Sequence, residues 1–192
     1  TAASVAGMIM ASGLAYTAFD ARDEARDQRR EAEGLIGFML GDLRQKLEPL
    51  GRLDLMDSVG ARALAYYESQ EKSDLSDEAL EQRSRALTLM GEMAFARGDL
   101  DGALRRYREA MAGTTEAVRR APRDPQNLFY HAQNVFWVGY VDYQRGDLGK
   151  AAEAFGEYRR LADRMIALAP DNSDYRLERI YADTNLGTVL MD

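Results

Sequence analysis

A spacing of 48 residues recurs along the chain and constrains its fold more than any other feature. The phrase Gly-Asp-Leu begins at Gly98 and again at Gly146, and unrelated landmarks share the same shift. Periods of about 20–50 residues are typical of solenoids, so the sequence predicts a repeat protein. The residues repeated at this spacing are Gly91, Gly139 and Gly187; Gly98 and Gly146; Ala103 and Ala151; Tyr107 and Phe155; Val118 and Ile166; and Pro122 and Pro170.

Each repeat unit is predicted to be a helical hairpin. In the first unit, Ser76 is a good N-cap for a helix that ends at Gly98. Asp99 then caps a second helix, which Pro122 ends. Apolar residues between these signals follow a period of about 3.6 residues. We therefore predict units at residues 74–123, 124–171 and 172–192, the last one containing only its first helix.

The order of small and aromatic residues resembles that of the tetratricopeptide (TPR) family. Gly91, Gly98, Ala103 and Tyr107 match the family pattern in the first unit, and their counterparts 48 residues later match it in the second. The resemblance implies an all-α fold, a TPR-like α-solenoid of helical hairpins. Each helix is about seven residues longer than in the family, close to two turns or about 10 Å.

Residues 1–19 carry no charged side chain, and a segment of that length can cross a membrane as a helix. Small residues recur on one face at every fourth position, a pattern that lets membrane helices pack closely. We predict a transmembrane helix at 1–19, although a buried alanine-rich helix of a soluble bundle would also explain the composition. A cleaved signal peptide fits less well, because no basic region is present. The candidate helix-dimer face is Ala3, Gly7, Ala11 and Ala15.

The segment after residue 19 is predicted to connect this helix to the repeats. Residues 20–32 form a helical stalk with a weak heptad, which indicates either a self-associating stalk or a single solvated helix. Residues 33–73 form an atypical capping hairpin, with its turn at Pro49 and Gly51. The heptad positions are Ala18, Ala21, Ala25, Gln28, Ala32, Leu35 and Met39.

A second resemblance covers the chain from Arg29 to Tyr67. This stretch is similar to the juxtamembrane opening of TPR regions in bacterial single-pass signalling proteins. In those proteins an effector domain, such as a Ser/Thr kinase, nucleotide cyclase, TIR or winged-helix domain, precedes the membrane helix. The resemblance implies that the effector lies outside this sequence. It also implies that the TPR array lies on the extracytoplasmic side of the bacterial inner membrane.

Catalytic chemistry finds little support in the sequence. The formal net charge is -7 with no dense basic run, which argues against nucleic acid as a partner. The chain has no cysteine, which excludes thiolate metal sites, and one histidine. His131 occupies a repeat position that Arg83 and Arg179 hold in the other units, which indicates a solvated or salt-bridged site. We predict no enzyme activity in these residues, no cofactor and no metal.

Binding has better support, because the first helices of TPR hairpins line a concave groove. Aromatic groove residues are suited to anchoring a protein or peptide ligand. The alternative for Phe136 and Tyr143 is simple packing against neighbouring helices. The candidate groove residues are Arg85, Thr88, Glu92 and Phe95 in the first unit, Gln133, Phe136, Tyr140 and Tyr143 in the second, and Tyr181 and Thr184 in the third.

Two functions follow from these features. The first is a membrane-tethered TPR module that binds a protein or peptide and serves as sensor or scaffold for an effector domain, with a possible homodimer through span and stalk. The alternative is a structural assembly protein without a signalling role, which would use the solenoid edge. That edge in the third unit is apolar at Leu186, Val189 and Leu190.

Overall fold

Helix-forming stretches and helix-ending signals alternate along the chain, and the computed structural model follows them. It describes residues 22–43, 46, 53–70 and 75–192, and these residues form an all-α protein. The helices are α1 (residues 22–38), α2 (Leu53–Glu68), α3 (Asp77–Ala96), α4 (Leu100–Arg120), α5 (Pro125–Gln144), α6 (Leu148–Leu168) and α7 (Ser173–Met191). A π-helical turn, Met39–Leu43, follows α1 directly.

The helix starts lie where the sequence predicts them. The Ser76 side chain accepts a hydrogen bond from the Ala79 amide at 3.1 Å, and the Asp99 carboxylate accepts one from Gly102 at 2.8 Å. Each bond satisfies a backbone N–H that has no partner inside its helix. These two predicted caps are confirmed.

The turns at Gly98 and Gly146 have the same geometry, 48 residues apart. Their φ angles are +78° and +77°, values that favour glycine because a Cβ atom would be strained there. The amide of Gly98 donates to the Phe95 carbonyl at 2.9 Å, and the amide of Asp99 donates to Ala94 at 2.9 Å. These bonds close the end of α3 as a Schellman motif. The predicted helix end at Gly98 is confirmed.

Helices that follow one another in the chain pack against one another. The most extensive pairings join α3 to α4 and α5 to α6, the two helices of each predicted hairpin. The π-helical turn contacts both α2 and α3. The apolar core of the described residues is divided among several clusters, one formed by α5, α6 and α7 and another by α1, α2 and α3.

Glycine permits the close contact between the helices of each hairpin. A Cβ atom on Gly91 would lie 2.7 Å from Cε1 of Tyr107, and one on Gly139 would lie 3.1 Å from Cε1 of Phe155. Both distances are shorter than ordinary van der Waals contact. The two aromatic rings therefore pack directly on the backbone of the preceding helix, as the repeat pattern predicts.

The substitution Gly91→Ala is expected to destabilise the protein by about 1–3 kcal/mol, because the new methyl group must displace the buried Tyr107 ring. Gly187→Ala is the matched control, since no described atom lies within 4 Å of its added Cβ. The control should be neutral or up to about 1 kcal/mol more stable, because alanine favours helix. Urea denaturation of dilute protein measures both changes. Equal effects would contradict the close approach at Gly91.

Several predictions concern the beginning of the chain. The candidate transmembrane helix at 1–19, with Ala3, Gly7, Ala11 and Ala15, lies outside the described residues, and so does the predicted turn at Pro49 and Gly51. Helix α1 runs without a break across the predicted boundary between stalk and capping hairpin. No helix in the described ranges combines the length and the apolar character needed to cross a membrane.

Candidate functional site

A cavity of about 510 Å³ lies between α3 and α5, and its size is within the range of ligand pockets. Residues of the π-helical turn and one residue of α4 complete its wall. Two predicted repeat units and the capping segment therefore contribute to one site. The lining residues are Leu40, Gly41, Glu81, Ser84, Arg85, Thr88, Glu92, Thr114, Phe129, Tyr130, Gln133, Asn134 and Trp137.

One wall of the cavity is a cation–π contact between consecutive repeats. The guanidinium carbon of Arg85 lies 4.9 Å from the centroid of the Tyr130 ring, and Arg85 donates to the Tyr130 hydroxyl. Arg85 also pairs with Glu81 at 2.9 Å, one turn earlier on α3. Such contacts fix the orientation of a long side chain that would otherwise be mobile.

The Arg85–Tyr130 contact recurs 48 residues later with different side chains. Gln133 and Glu178 occupy the equivalent positions, and the Gln133 amide donates to the Glu178 carboxylate at 2.7 Å. The Tyr158 hydroxyl donates to the same carboxylate. Burial is the main cause that raises the pKa of Tyr158 above its ordinary value, and the hydrogen bond to Glu178 adds to the shift. Each first helix is thus linked to the next by a polar contact at one repeated position.

The floor of the cavity is a polar network around Asn134, which is buried in α5. Its side-chain oxygen accepts from the Thr88 hydroxyl at 2.9 Å. Its amide nitrogen donates to the Tyr130 carbonyl at 3.1 Å and lies 3.5 Å from the Thr114 hydroxyl. The Ser84 hydroxyl, nearby on α3, donates to the Ala110 carbonyl of α4 at 3.3 Å. A single buried amide therefore joins α3, α4 and α5.

One lining residue, Trp137, belongs to an aromatic cluster that extends beyond the cavity. Trp137 stacks on Tyr107, with ring centroids 5.4 Å apart and planes 7° from parallel. Phe136 stacks on Tyr140 at 5.8 Å, and Phe95 lies 5.5 Å from the same Tyr140 ring. Offset stacked rings of this kind form a stiff surface at low entropic cost.

The structure distributes the ten predicted groove residues over three environments. Arg85, Thr88, Glu92 and Gln133 line the cavity together. The rings of Phe95, Phe136 and Tyr140 belong to an aromatic cluster, in which Phe136 also lies 6.1 Å from Phe155. The remaining three lie elsewhere: Tyr143 donates to Asp192 at 2.7 Å, whereas Tyr181 and Thr184 are exposed on α7.

Sequence reasoning missed six lining residues of the cavity on α3 and α5. Five of them lie three or four positions from a predicted groove residue, one helical turn away on the same face, and extending the groove by a turn would have found them. These five are Glu81, Ser84, Phe129, Tyr130 and Trp137. The sixth, Asn134, is adjacent to Gln133 and had no such signal.

His131 lies beside the polar network rather than in solvent. Its Nδ1 is 3.0 Å from the Thr114 hydroxyl, and the ring is half-buried against a second cavity that Glu153 and Glu157 also line. Burial lowers the pKa of His131 below its ordinary value, with Glu157 opposing the shift and Arg164 adding to it. The geometry thus favours a neutral imidazole.

The pKa of His131 is expected to lie below 6.5 in the folded chain. The unfolded chain then binds the proton first as the pH falls, so the chain loses stability from about pH 6.5 down to the folded pKa. Because this is the only histidine, one imidazole resonance in a pH titration by NMR reports it directly. The variant His131→Gln should lack this part of the pH dependence. A titration midpoint at or above 6.5 would contradict the expected effect of burial.

Within the described ranges, no three histidine or acidic side chains are grouped to hold a metal ion. No protein-family model matches the chain, and a search of curated proteins also gives no match.

Proposed function

We propose that this chain is a TPR-like α-solenoid that binds a protein or peptide ligand in the cavity between α3 and α5. The observation that supports this most is the composition of the cavity. It combines side chains held in fixed orientation, a buried polar floor and a stacked tryptophan. A few oriented polar groups within an apolar and aromatic lining are typical of ligand pockets.

The solenoid interpretation rests on repetition of contacts as well as of residues. The Gly91–Tyr107 and Gly139–Phe155 contacts and the two glycine turns recur at one spacing. The core is divided into clusters along the chain, as expected when each unit contacts mainly its neighbours.

The charge of the lining favours a neutral or basic ligand. Glu81 and Glu92 contribute two carboxylates and Arg85 one guanidinium, so the charged lining residues carry one net negative charge. The chain as a whole carries a formal charge of -7, which attracts basic partners at long range. A peptide anchored by an apolar, aromatic or basic side chain would complement this site better than an acidic one.

The tether remains part of the proposal. Residues 1–19 would anchor the array in the bacterial inner membrane with the repeats outside the cytoplasm, and the stalk would connect them to an effector domain elsewhere in the protein. Support comes from the uncharged composition of 1–19 and from the resemblance of the juxtamembrane segment to signalling proteins.

Selection of a random peptide library displayed on phage, against the full chain, tests ligand binding. Enriched peptides should bind Arg85→Ala and Gln133→Ala at least 10-fold more weakly, about 1.4 kcal/mol each, because both variants remove side chains from the cavity wall.

The matched control is Arg105→Ala, an exposed arginine on α4 that does not line the cavity. It should leave peptide affinity unchanged. Peptides that bind all three variants equally, or a selection that enriches only acidic sequences, would overturn the proposed site.

The alternative function is assembly through the solenoid edge. Of the edge residues predicted from sequence, Val189 is buried and Leu186 is half-buried, so that only Leu190 is exposed as predicted.

Other residues of α7 favour this function. Leu177, Ile180 and Met191 are exposed along one face of this helix, opposite its buried face. Contiguous exposed apolar side chains mark interaction surfaces. Both functions can coexist, because the cavity and this face do not share residues.

A further inference from the structure

We infer that the second cavity, which lies between α4, α5 and α6, binds a guanidinium group carried on an apolar stem. Its volume is about 410 Å³, within the range of ligand pockets. The lining includes Met111 of α4, Val135 and Val138 of α5, and Glu153 and Glu157 of α6. The cavity between α3 and α5 shares no lining residue with it, so this inference does not depend on the proposed function.

The inner wall of the second cavity is apolar and belongs to the protein core. Val135 and Val138 lie on one face of α5, and both are buried in core clusters. Met111 of α4 and Ala154 of α6 line the cavity beside them and are half-buried. An alkyl chain lying on this wall would be stabilised by leaving water, and more so with each methylene group that it buries.

The outer wall of the second cavity is acidic. Glu153 and Glu157 are four residues apart on α6 and line the same space, and like charges at this spacing destabilise a helix. Arg160 pairs with Glu157 at 2.6 Å, but within the described residues no cation pairs with Glu153. A bound cation between the two carboxylates would offset their repulsion.

The other repeat units carry an arginine at the position of His131, namely Arg83 and Arg179. In the third unit, the guanidinium of Arg179 pairs with Asp163 of α6 at 2.6 Å and also with Asp183 of α7. It thus bridges the second helix of one hairpin and the first helix of the next. A guanidinium can do this because its planar fork presents several N–H donors at once.

The second cavity lies at the equivalent junction, where α4 meets α5. Thr115 and Val135 stand 48 residues before the two aspartates, and His131 stands 48 residues before the arginine; all three line the cavity. This junction therefore has an open space at the positions that form an ion-pair network in the third unit. A guanidinium supplied by a ligand would occupy that space, with Glu153 and Glu157 as its anionic partners.

The opposite end of the cavity sets the orientation of the ligand. Asp142 is buried there, and its carboxylate already meets Arg108 at 3.5 Å. Lys150 follows the turn between α5 and α6, so it lies at the same end, and it donates to Asp147. The charged groups at this end are thus already paired, whereas Glu153 is not. The guanidinium is therefore placed at the two glutamates, with its stem along the two valines.

Titration of the full chain with n-butylguanidinium at pH 8, in a non-ionic detergent, tests this site. His131 is the only histidine and lines the cavity, so its imidazole resonance in an NMR spectrum reports binding directly. The resonance should shift along a saturating curve. Methylguanidinium has the same charge but a shorter stem, so it should bind at least about 10-fold more weakly.

Two variants test the carboxylates. Glu153→Gln and Glu157→Gln should each weaken the binding of butylguanidinium at least about 5-fold, because each removes a charged acceptor from the cavity. Glu109→Gln is the matched control. Glu109 is exposed, holds the position of Glu157 in the first unit and does not line the cavity. Its substitution changes the net charge equally and should leave the affinity unchanged.

His131→Arg tests the comparison between repeat units. This variant supplies from the chain itself the group that Arg179 supplies in the third unit, so the binding of butylguanidinium should be lost. Saturation transfer from protein to ligand measures binding here, because the histidine resonance is absent. His131→Gln adds no cation, is the control and should retain binding.

A blocked peptide, acetyl-glycyl-arginyl-glycinamide, distinguishes two sources of the guanidinium. Tighter binding of this peptide than of butylguanidinium assigns the site to an arginine side chain of a partner protein. Weaker binding assigns it to a small free guanidinium compound. Both results support the inferred chemistry.

Four results would overturn the inference. The first is equal binding of methylguanidinium and butylguanidinium, which indicates attraction to surface charge alone. The second is an equal loss of affinity in Glu109→Gln and Glu157→Gln. The third is undiminished binding to His131→Arg, and the fourth is a His131 resonance that does not shift or shifts without saturation.

Discussion

A chain carrying Phe155→Ala is expected to lose about 3–5 kcal/mol of unfolding free energy, which is a large part of the stability of an ordinary domain. Phe155 is 1% exposed and belongs to the core cluster that joins α5, α6 and α7. It contacts Phe136 and fills the space beside Gly139, where no Cβ atom holds the helices apart. Truncation therefore leaves a cavity that α5 cannot easily collapse into. Urea or thermal denaturation of dilute chain measures the loss.

Phe38→Ala is the matched control for this variant. It removes the same atoms from a phenylalanine, but Phe38 is half-exposed. In dilute monomer its effect should stay near 0.5 kcal/mol, as for surface substitutions generally. A loss at Phe38 as large as that at Phe155 would show that the exposed face of α1 is buried within the monomer.

Asn134→Asp is expected to destabilise the chain by about 3–5 kcal/mol at pH 8, because it places a carboxylate at a buried position. The introduced oxygen would face the Tyr130 carbonyl, which the native amide now meets as a donor at 3.1 Å. Burial raises the pKa of such a carboxyl above its unfolded value. The loss of unfolding free energy is therefore largest above the pKa of the folded state. It becomes smaller as the pH falls from there toward the pKa of the unfolded state.

The difference in unfolding free energy between variant and unaltered chain, measured at pH 8 and pH 5, tests this sign. Asn134→Ala is the control, because it removes the same hydrogen bonds without adding charge. Its cost should be about 1–3 kcal/mol at both pH values. A penalty for Asn134→Asp that is the same at pH 5 and pH 8 would contradict burial of this side chain.

The helix boundaries could be predicted from sequence because local chemistry decides them. Ser76 and Asp99 have side chains that satisfy the free amides of a helix start, and Gly98 can adopt the positive φ angle of a helix end. These effects act within a few residues. Because the pattern repeats every 48 residues, the helix boundaries of one unit also predict those of the next.

The cavity could be predicted only in part, because it depends on how helices face one another. Helix α5 bears aromatic residues on several sides, including Phe129, Tyr130, Phe136 and Trp137. Sequence periodicity does not say which of them pack and which line a groove, since both environments accept aromatic rings. Contacts between helices decide it: Phe136 packs toward α6, whereas Trp137 stacks on Tyr107 and reaches the cavity.

The contribution of the capping segment had no local signal at all. Leu40 and Gly41 reach the cavity through the position of the π-helical turn against α2 and α3. Widened helical turns of this kind occur frequently at functional sites. The residue types of Met39–Leu43 do not predict a π-helical turn. Its position follows from packing against α2 and α3.

Because the π-helical turn both lines the cavity and continues α1, ligand binding in the cavity and the position of α1 are thermodynamically coupled. Leu40 and Gly41 line the cavity, so a bound ligand would contact them, and these residues continue directly from α1. If binding shifts the equilibrium between two positions of α1 by some factor, then holding α1 in one position changes the affinity by the same factor. A force on α1, or clustering of several chains through α1, would then change the affinity of the cavity for its ligand. In the same way, a bound ligand would change the preferred position of α1.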